Sequence, residues 1–350
     1  MMFFASDNGG PVHPSVIEAL TEANEGYTGG YGADDVTARA VAAVREVFEA
    51  PEAAVYFVAT GTAANALALA TYAQPFHTVF CTDTAHIHED ECNAPEFYTG
   101  GAKLTLVPTT DGRMTAEDLR RVIAGEETRG VHGPQRGPVS ITQITERGTI
   151  YALDDLRGLC AVAKEYDLPV HLDGARFANA LVELGCSSAE MTWKAGVDVV
   201  SFGGTKNGLM GAEAVVFFDP EKAWEFELRR KRGGHLFSKQ RYLAAQFLPY
   251  LEGGRWLDLA RAANASRQRL QDAMEGMNDI TFAYAPSGNM MFPTMRVADH
   301  RRLFDAGAYY YMWDGDLDGA AEDDRLTARL VCDWSMSDAA LDKFLTVLRG

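Results

Sequence analysis

The sequence predicts an α/β fold, with a large doubly wound mixed sheet followed by a small C-terminal α+β domain. Three observations predict it. Short apolar, β-rich runs alternate with helical patterns over the first 250 residues, and strands apolar on successive positions are covered on both faces. The chain has 350 residues, too many for one small core. Beyond residue 250 the alternation gives way to a long helical pattern and short strand-like runs. The expected division is therefore a large domain with an N-terminal arm over residues 1–250 and a small domain over 251–350.

Taken in order, AAVYFVA is the first strand, and ATGTAANALAL carries it through a Gly-Thr turn into a helix beginning near Ala63. This stretch is apolar enough to suggest a membrane span, but Gly61, Thr62 and Asn65 interrupt it, and strand–turn–helix accounts for it better. HTVFCT, KLTLVP, GPVSIT, LPVHLD, VDVVSF and AEAVVFF follow as further strands. A basic segment, RRKRGGHLFSKQRYLAAQFL, runs into a helix near the joint. The small domain reads as a helix over Leu257–Met274, then ITFAYA, NMMFPTMR, AYYYMWDG and LTARLVCDW, then a final helix capped by Ser337.

Composition limits the function classes. Hydrophobic residues make up 47% and charged residues 23%, as in folded globular proteins. Acidic side chains number 49 against 32 basic ones, a net charge of −17, which disfavours nucleic acid and anionic membrane as partners. Five cysteines lack paired spacing, so a disulfide framework or zinc ribbon is not expected. With no basic apolar leader in MMFFASDNGG, a cytoplasmic location is expected.

Four stretches carry candidate chemistry. Gly61-Thr62 at a helix start offers backbone N–H groups and a hydroxyl to a phosphate, or is a routine βα turn. In LPVHLDGARFANAL, Asp173 ends an apolar strand. A carboxylate there needs a partner: a protonated pyridine nitrogen, the next helix, or Arg176. In SFGGTKNGLMG, Lys206 stands among small residues, a setting suited to an imine with an aldehyde cofactor. In TDTAHIHEDECNAPEF, His86 follows a strand end and suits a ring stacked over a cofactor. The dense carboxylates around it read as a solvated turn, and no metal is expected because their spacing matches no regular ligand set.

Gly-Thr before a helix, Asp at a strand end and Lys roughly thirty residues later, in that order, describe a pyridoxal 5'-phosphate site. On these motifs the sequence resembles, over essentially its whole length, the threonine aldolases, in the β-eliminating lyase group of fold-type I pyridoxal-phosphate enzymes. The resemblance implies a fold-type I transferase-like architecture and a lyase. The expected reaction is retro-aldol cleavage of L-threonine, L-allo-threonine and related β-hydroxy-α-amino acids such as phenylserine to glycine and an aldehyde. It implies that Lys206 holds the cofactor, Asp173 bonds its ring nitrogen, His86 stacks on the ring, and Gly61 and Thr62 hold the phosphate. Ser6, Arg176 and Arg329 would grip the substrate carboxylate, with Arg176 also beside the cofactor. Tyr31 would reach the substrate, and Arg232 the phosphate, in a neighbouring subunit of a homo-oligomer, a dimer or tetramer.

One stretch departs from the family pattern. Where many relatives carry Glu-Asn-Thr-His, this chain has SITQITERGTIY, so Gln143 and Glu146 replace the glutamate and the histidine. Glu146, a water or His86 then takes the substrate hydroxyl proton, unless Glu146 is spent on an ion pair with Arg147. Racemisation, β-elimination or transamination on the same cofactor are the alternative reactions. A non-catalytic cofactor-binding protein and a dinucleotide enzyme are further readings; the latter is disfavoured because no GxGxxG follows the first strand.

Overall fold

The computed structural model describes residues 1–277 and 279–350. After a short strand β1 (Met2–Phe3) and helices Pro14–Ala23 and Asp35–Val47, the chain builds its main sheet. The strands are β2 (Ala54–Val58), β3 (His77–Thr82), β4 (Lys103–Val107), β5 (Gln135–Thr142), β6 (Val170–Gly174), β7 (Val199–Gly203) and β8 (Glu213–Phe217). Their spatial order among the described residues is β2-β8-β7-β6-β5-β3-β4. Strand β8 runs antiparallel to β2 and β7, while the pairs from β7 to β4 are parallel. The mixed, two-faced sheet expected from the apolar runs is thus present.

Side-chain alternation divides the sheet between two cores. Val170, Leu172, Val200, Phe202, Ala214 and Val216 face the larger core with Phe177, Phe247 and Tyr250. Val199, Val215 and Phe217 face the other way, onto Ala63, Ala64, Leu67 and Ala68 of helix Gly61–Tyr72. Because the strand period is two, Asp173 and Glu213 share the side of the sheet that carries this helix. The parallel strands end, and β8 begins, at one edge. The residues after β2, β3, β5, β6 and β7 therefore converge with the first residue of β8, where open sheets of this type place their sites.

The C-terminal part contains β9 (Thr281–Phe282), β10 (Met290–Met291), β11 (Pro293–Arg296), β12 (Ala308–Tyr309), β13 (Tyr311–Met312) and β14 (Arg325–Val331). Strands β10, β14, β11 and β9 pair in that order, β13 also pairs with β14, and β1 pairs with β12. AYYYMWDG, read as one strand, is two short ones, because Tyr309 pairs with Phe3 and Tyr311 with Arg329. A second core gathers Met2 and Phe4 with Leu270, Met274, Met291, Leu330 and Phe344. Helix Arg255–Glu275 joins the two cores, contributing Trp256 and Leu259 to the first and Leu270 and Met274 to the second. The last helix, Asp338–Arg349, starts where its cap predicts, with the Ser337 side chain accepting the Ala340 N–H.

The glycines before Lys206 are a packing requirement. A Cβ at Gly203 would lie 2.6 Å from the Ala175 carbonyl oxygen, so β7 can approach the β6 turn only without a side chain there. Past the lysine, Gly208 turns the chain with a φ of +103°, a conformation costly for residues with a Cβ. Gly203→Ala is expected to lower stability by about 1–3 kcal/mol through overpacking. Urea unfolding at unchanged slope checks this, and an unchanged midpoint would contradict it.

Candidate active site

A cavity of about 280 Å³ opens at the convergent edge, and its walls include Gly61, Thr62, His86, Glu146, Asp173, Arg176 and Lys206. Seven of the residues singled out from the sequence thus meet in one place. Asn65, Glu91 and Glu213 line it as well.

Asp173 ends β6 and is 3% exposed. Its Oδ2 accepts from Asn65 Nδ2 at 2.8 Å, and its Oδ1 accepts the Ala175 N–H at 3.0 Å. Of the partners open to it from sequence, it does not take Arg176. That guanidinium turns to Asp7, donating from Nε at 2.7 Å and Nη2 at 2.9 Å. Burial alone would raise the Asp7 carboxyl, but Arg176 and Lys206 more than offset it and hold Asp7 below the usual carboxylate range. Asn289 adds a hydrogen bond to the same carboxylate at 3.0 Å.

The Asn65 amide nitrogen also donates to Glu91 Oε1 at 2.9 Å, and that oxygen lies 2.8 Å from His86 Nδ1. Glu91 is 3% exposed, so the sequence reading of this stretch as a solvated turn needs correction: one of its carboxylates is an internal group. Its hydrogen bond raises the His86 pKa above the ordinary value, while burial raises that of Glu91. A continuous polar line therefore joins His86, Glu91, Asn65 and Asp173. Beneath Asp173 on the same strand, His171 is fully buried and flanked by the hydroxyls of Ser140 and Ser201 at 2.9 and 3.0 Å. Burial pulls its pKa down to about 4, so near neutral pH it adds no charge below the site.

Lys206 lies in the turn after β7 and makes no ion pair among the described residues. Burial and the nearby Arg176 lower its pKa from the ordinary lysine value, against the pull of Asp7, Asp173 and Glu213. An amine of this kind spends more of its time uncharged and nucleophilic than a surface lysine does.

The Gly-Thr turn is shifted from the expected position. Helix Gly61–Tyr72 starts two residues before Ala63, and Thr60 caps it by accepting the Ala63 N–H at 3.2 Å. Thr62 is left free of that task. A Cβ built on Gly61 meets nothing within 4 Å, so this glycine serves the cavity and not the protein's own packing.

Glu146 is not paired with Arg147, whose guanidinium lies over the rings of Trp313 and Tyr284 at 4.6 and 5.5 Å. Its Oε1 accepts the His86 N–H at 2.6 Å, and its buried Oε2 has no partner among the described residues. Burial, followed by the Asp173 charge, pushes its pKa up to about 7. Gln143 is fully buried and exchanges two hydrogen bonds with the Tyr151 backbone, at 2.9 and 3.0 Å. It holds the loop that carries Glu146.

Four candidates lie outside the cavity walls. Ser6 caps the turn Asp7–Gly9 by accepting the Asn8 N–H at 3.2 Å, and Asn8 reaches the cavity instead. Arg329 donates to the Ala5 carbonyl at 3.4 Å and has no carboxylate partner among the described residues. Tyr31 is 54% exposed, with the Lys231 amine 4.7 Å from its ring centroid, and Arg232 is exposed at the end of helix Ala223–Arg232. Asp7, Asn65, Glu91, Asn289 and Glu213 are among the polar groups that the sequence reading did not single out as site residues.

The cavity fits a pyridoxal phosphate. A buried carboxylate without a cationic partner among the described residues suits a protonated ring nitrogen, open space beside a helix start suits a phosphate, and an amine without an ion pair lines the same cavity. The family model for beta-eliminating lyases matches residues 4–297. The chain belongs to the beta-eliminating lyase family. This lyase is similar to the low specificity L-threonine aldolase of Pseudomonas sp. (strain NCIMB 10558), with 38% identity over 347 residues that cover 99% of this chain and 97% of that one. It is 40% identical over 331 residues to the low specificity L-threonine aldolase of Pseudomonas aeruginosa, covering 95% and 92%. The solved threonine aldolase of Leishmania major superposes with a TM-score of 0.90 at 25% identity, covering 100% and 99%. The fold-type I architecture expected from the sequence stands.

Since Glu91 raises the His86 pKa, Glu91→Gln is expected to lower it in an NMR titration of the ring. An unchanged titration midpoint would show that the 2.8 Å contact does not govern the ring.

Proposed function

We propose that the chain cleaves L-threonine, L-allo-threonine and related β-hydroxy-α-amino acids to glycine and an aldehyde, with pyridoxal phosphate as its cofactor. The observation that carries this reading is the meeting of Lys206, Asp173 and the Gly61–Thr62 helix start in one cavity of a beta-eliminating lyase. The similarity to proteins named L-threonine aldolases over nearly full length supports the substrate class.

Bound here, pyridoxal phosphate supplies the electron sink that makes breaking a Cα–Cβ bond accessible. Lys206 Nζ would be its point of attachment, Gly61 and Thr62 would hold the phosphate, and Asp173 would favour a proton on the ring nitrogen. Asn65 fixes the Asp173 carboxylate, and Glu91 fixes the ring of His86, which would stack on the cofactor. Arg329, free of a carboxylate, takes the substrate carboxylate; Arg176, oriented by Asp7, closes the same side, and Ser6 supports the turn they share. Orientation of the carboxylate decides which bond on Cα stands ready to break. Glu146 takes the β-hydroxyl proton on Oε2 as the aldehyde leaves, in the place where relatives use a histidine. A carboxyl near pKa 7 suits that exchange at neutral pH.

Tyr31 and Arg232 act in the partner's site of a cytoplasmic homo-oligomer, a dimer at least and a tetramer by family resemblance. Their position on an exposed face away from the chain's own cavity supports this reading, as does the exposure of Tyr27 and Phe237 on the segments beside them. Among the described residues no helix is long and apolar enough to cross a membrane. Nor do three or more His, Cys, Asp or Glu side chains form a group able to hold a metal ion.

Purified protein is expected to release acetaldehyde and glycine from L-threonine, and Lys206→Ala to abolish both this release and the cofactor's imine absorption band. Intact threonine and phenylserine in the presence of the band would overturn the aldolase reading. Glu146→Gln is expected to reduce kcat by roughly 10²–10⁴-fold. In the unaltered protein kcat should fall as pH drops below about 7, where Glu146 gains its proton. A full rate in Glu146→Gln with that acid limb retained would exclude Glu146 as the base.

A further inference from the structure

Glu213 is a charged residue in an otherwise apolar strand, and the mechanism above leaves it unused. It opens β8, where it pairs in register with Val58 at the end of β2 and Gly203 at the end of β7. Because β8 is antiparallel to both, its first residue lies at the edge where theirs end. The side chain is 6% exposed and lines the same cavity as Thr60, Gly61, Thr62, Thr205 and Lys206. It stands between the helix start that offers N–H groups to a phosphate and the turn that carries the lysine. Its Oε2 accepts the Gly204 N–H at 2.7 Å.

We propose that Glu213 receives the cofactor's phosphate as a neutral carboxylic acid, so that phosphate and proton enter the site together. The inference rests on the pyridoxal-phosphate reading of the cavity. Two anions confined to one small, buried space cannot both keep their charge without a large penalty. The phosphate has N–H groups to settle on; the carboxyl has solvent from which to take a proton. No bond to carbon changes in this step: one proton moves from water to a carboxyl oxygen of Glu213.

Burial disfavours the charged form of Glu213 more than its neighbours favour it. Lys206, from the turn after β7, favours its charged form, and Tyr250, from helix Arg241–Leu251, is disfavoured in its own charged form by Glu213. Asp173 and Arg176 line the cavity at the end of β6. Strand β2 and helix Gly61–Tyr72 contain no charged side chain. Burial outweighs Lys206 and lifts the Glu213 pKa to about 7 before any phosphate arrives. The sign follows. The phosphate-accepting form is present below that value and is lost as pH rises through it, so phosphate affinity falls on the alkaline side.

The test uses the full chain cleared of cofactor and two probes that cannot bond to Lys206: pyridoxine 5'-phosphate and pyridoxine. The ratio of their affinities isolates the phosphate. In the unaltered chain this ratio is expected to fall from about pH 7 upward, approaching tenfold per pH unit. In Glu213→Gln, which can still accept the Gly204 N–H and cannot ionise, the fall is expected to vanish. A ratio that stays level or rises in the unaltered chain overturns the proposal whether or not the variant folds, and so does an equal fall in the two proteins. Failure of the unaltered chain to bind pyridoxal 5'-phosphate at all would instead overturn the cofactor reading on which the proposal rests.

Discussion

The site depends on a buried carboxylate that the protein holds but does not neutralise. Asp173 sits at the end of a strand buried along its whole length, where an unpaired charge costs several kcal/mol. The fold answers with dipoles only, the Asn65 amide and the Ala175 N–H. The arginine three residues along the chain, Arg176, is held by Asp7 in a two-point ion pair. Removing Asp7 would leave a buried guanidinium free to swing toward Asp173. The N-terminal arm therefore protects the polarity of the site as well as carrying residues into it. A negative charge kept without a counterion is a site waiting for a cationic ring.

The cavity's other groups follow from the same arrangement of charge. Glu91, Glu146, Asp173 and Glu213 line it, with Asp7 behind Arg176, against Lys206 and Arg176 as cations. Burial raises the pKa of Glu91, Glu146 and Glu213, and only Asp7, gripped by Arg176, is driven below the ordinary carboxylate range. Environment thus separates chemically similar side chains into a permanent anion, Asp7, and two carboxyls, Glu146 and Glu213, that exchange protons near neutral pH. The same logic explains how Glu146 can serve as the base proposed above. With Oε1 on the His86 N–H and Oε2 unpartnered, Glu146 has one oxygen fixed and one free.

Much of this was legible in the sequence, for physical reasons. Most strand runs are apolar on successive positions because both faces are covered, and Asp173, Lys206 and His86 are visible because each stands at or just after the end of such a run. The groups missed are those whose partners come from far along the chain. Asp7 meets Arg176 across 169 residues, and Asn289 meets Asp7 across 282. Asn65 did leave a signal, as the amide in a helix of alanines and leucines. It read as an interruption of a membrane-like stretch, when it was the residue that the buried helix exists to aim. Glu91 was hidden by its neighbours: in a run of exposed acids, sequence does not say which one turns inward. Glu213 left the plainest mark, one carboxylate opening an apolar strand.

The measurement that tests the central claim most directly is the ¹⁵N NMR shift of a labelled pyridoxal phosphate ring in the assembled protein, recorded well above neutral pH. With Asp173 in no ion pair among the described residues, the ring nitrogen should report as protonated, and Asp173→Asn should return it to the unprotonated shift. A ring nitrogen found without its proton in the unaltered protein would mean that Asp173 does not govern the cofactor, and would contradict the account.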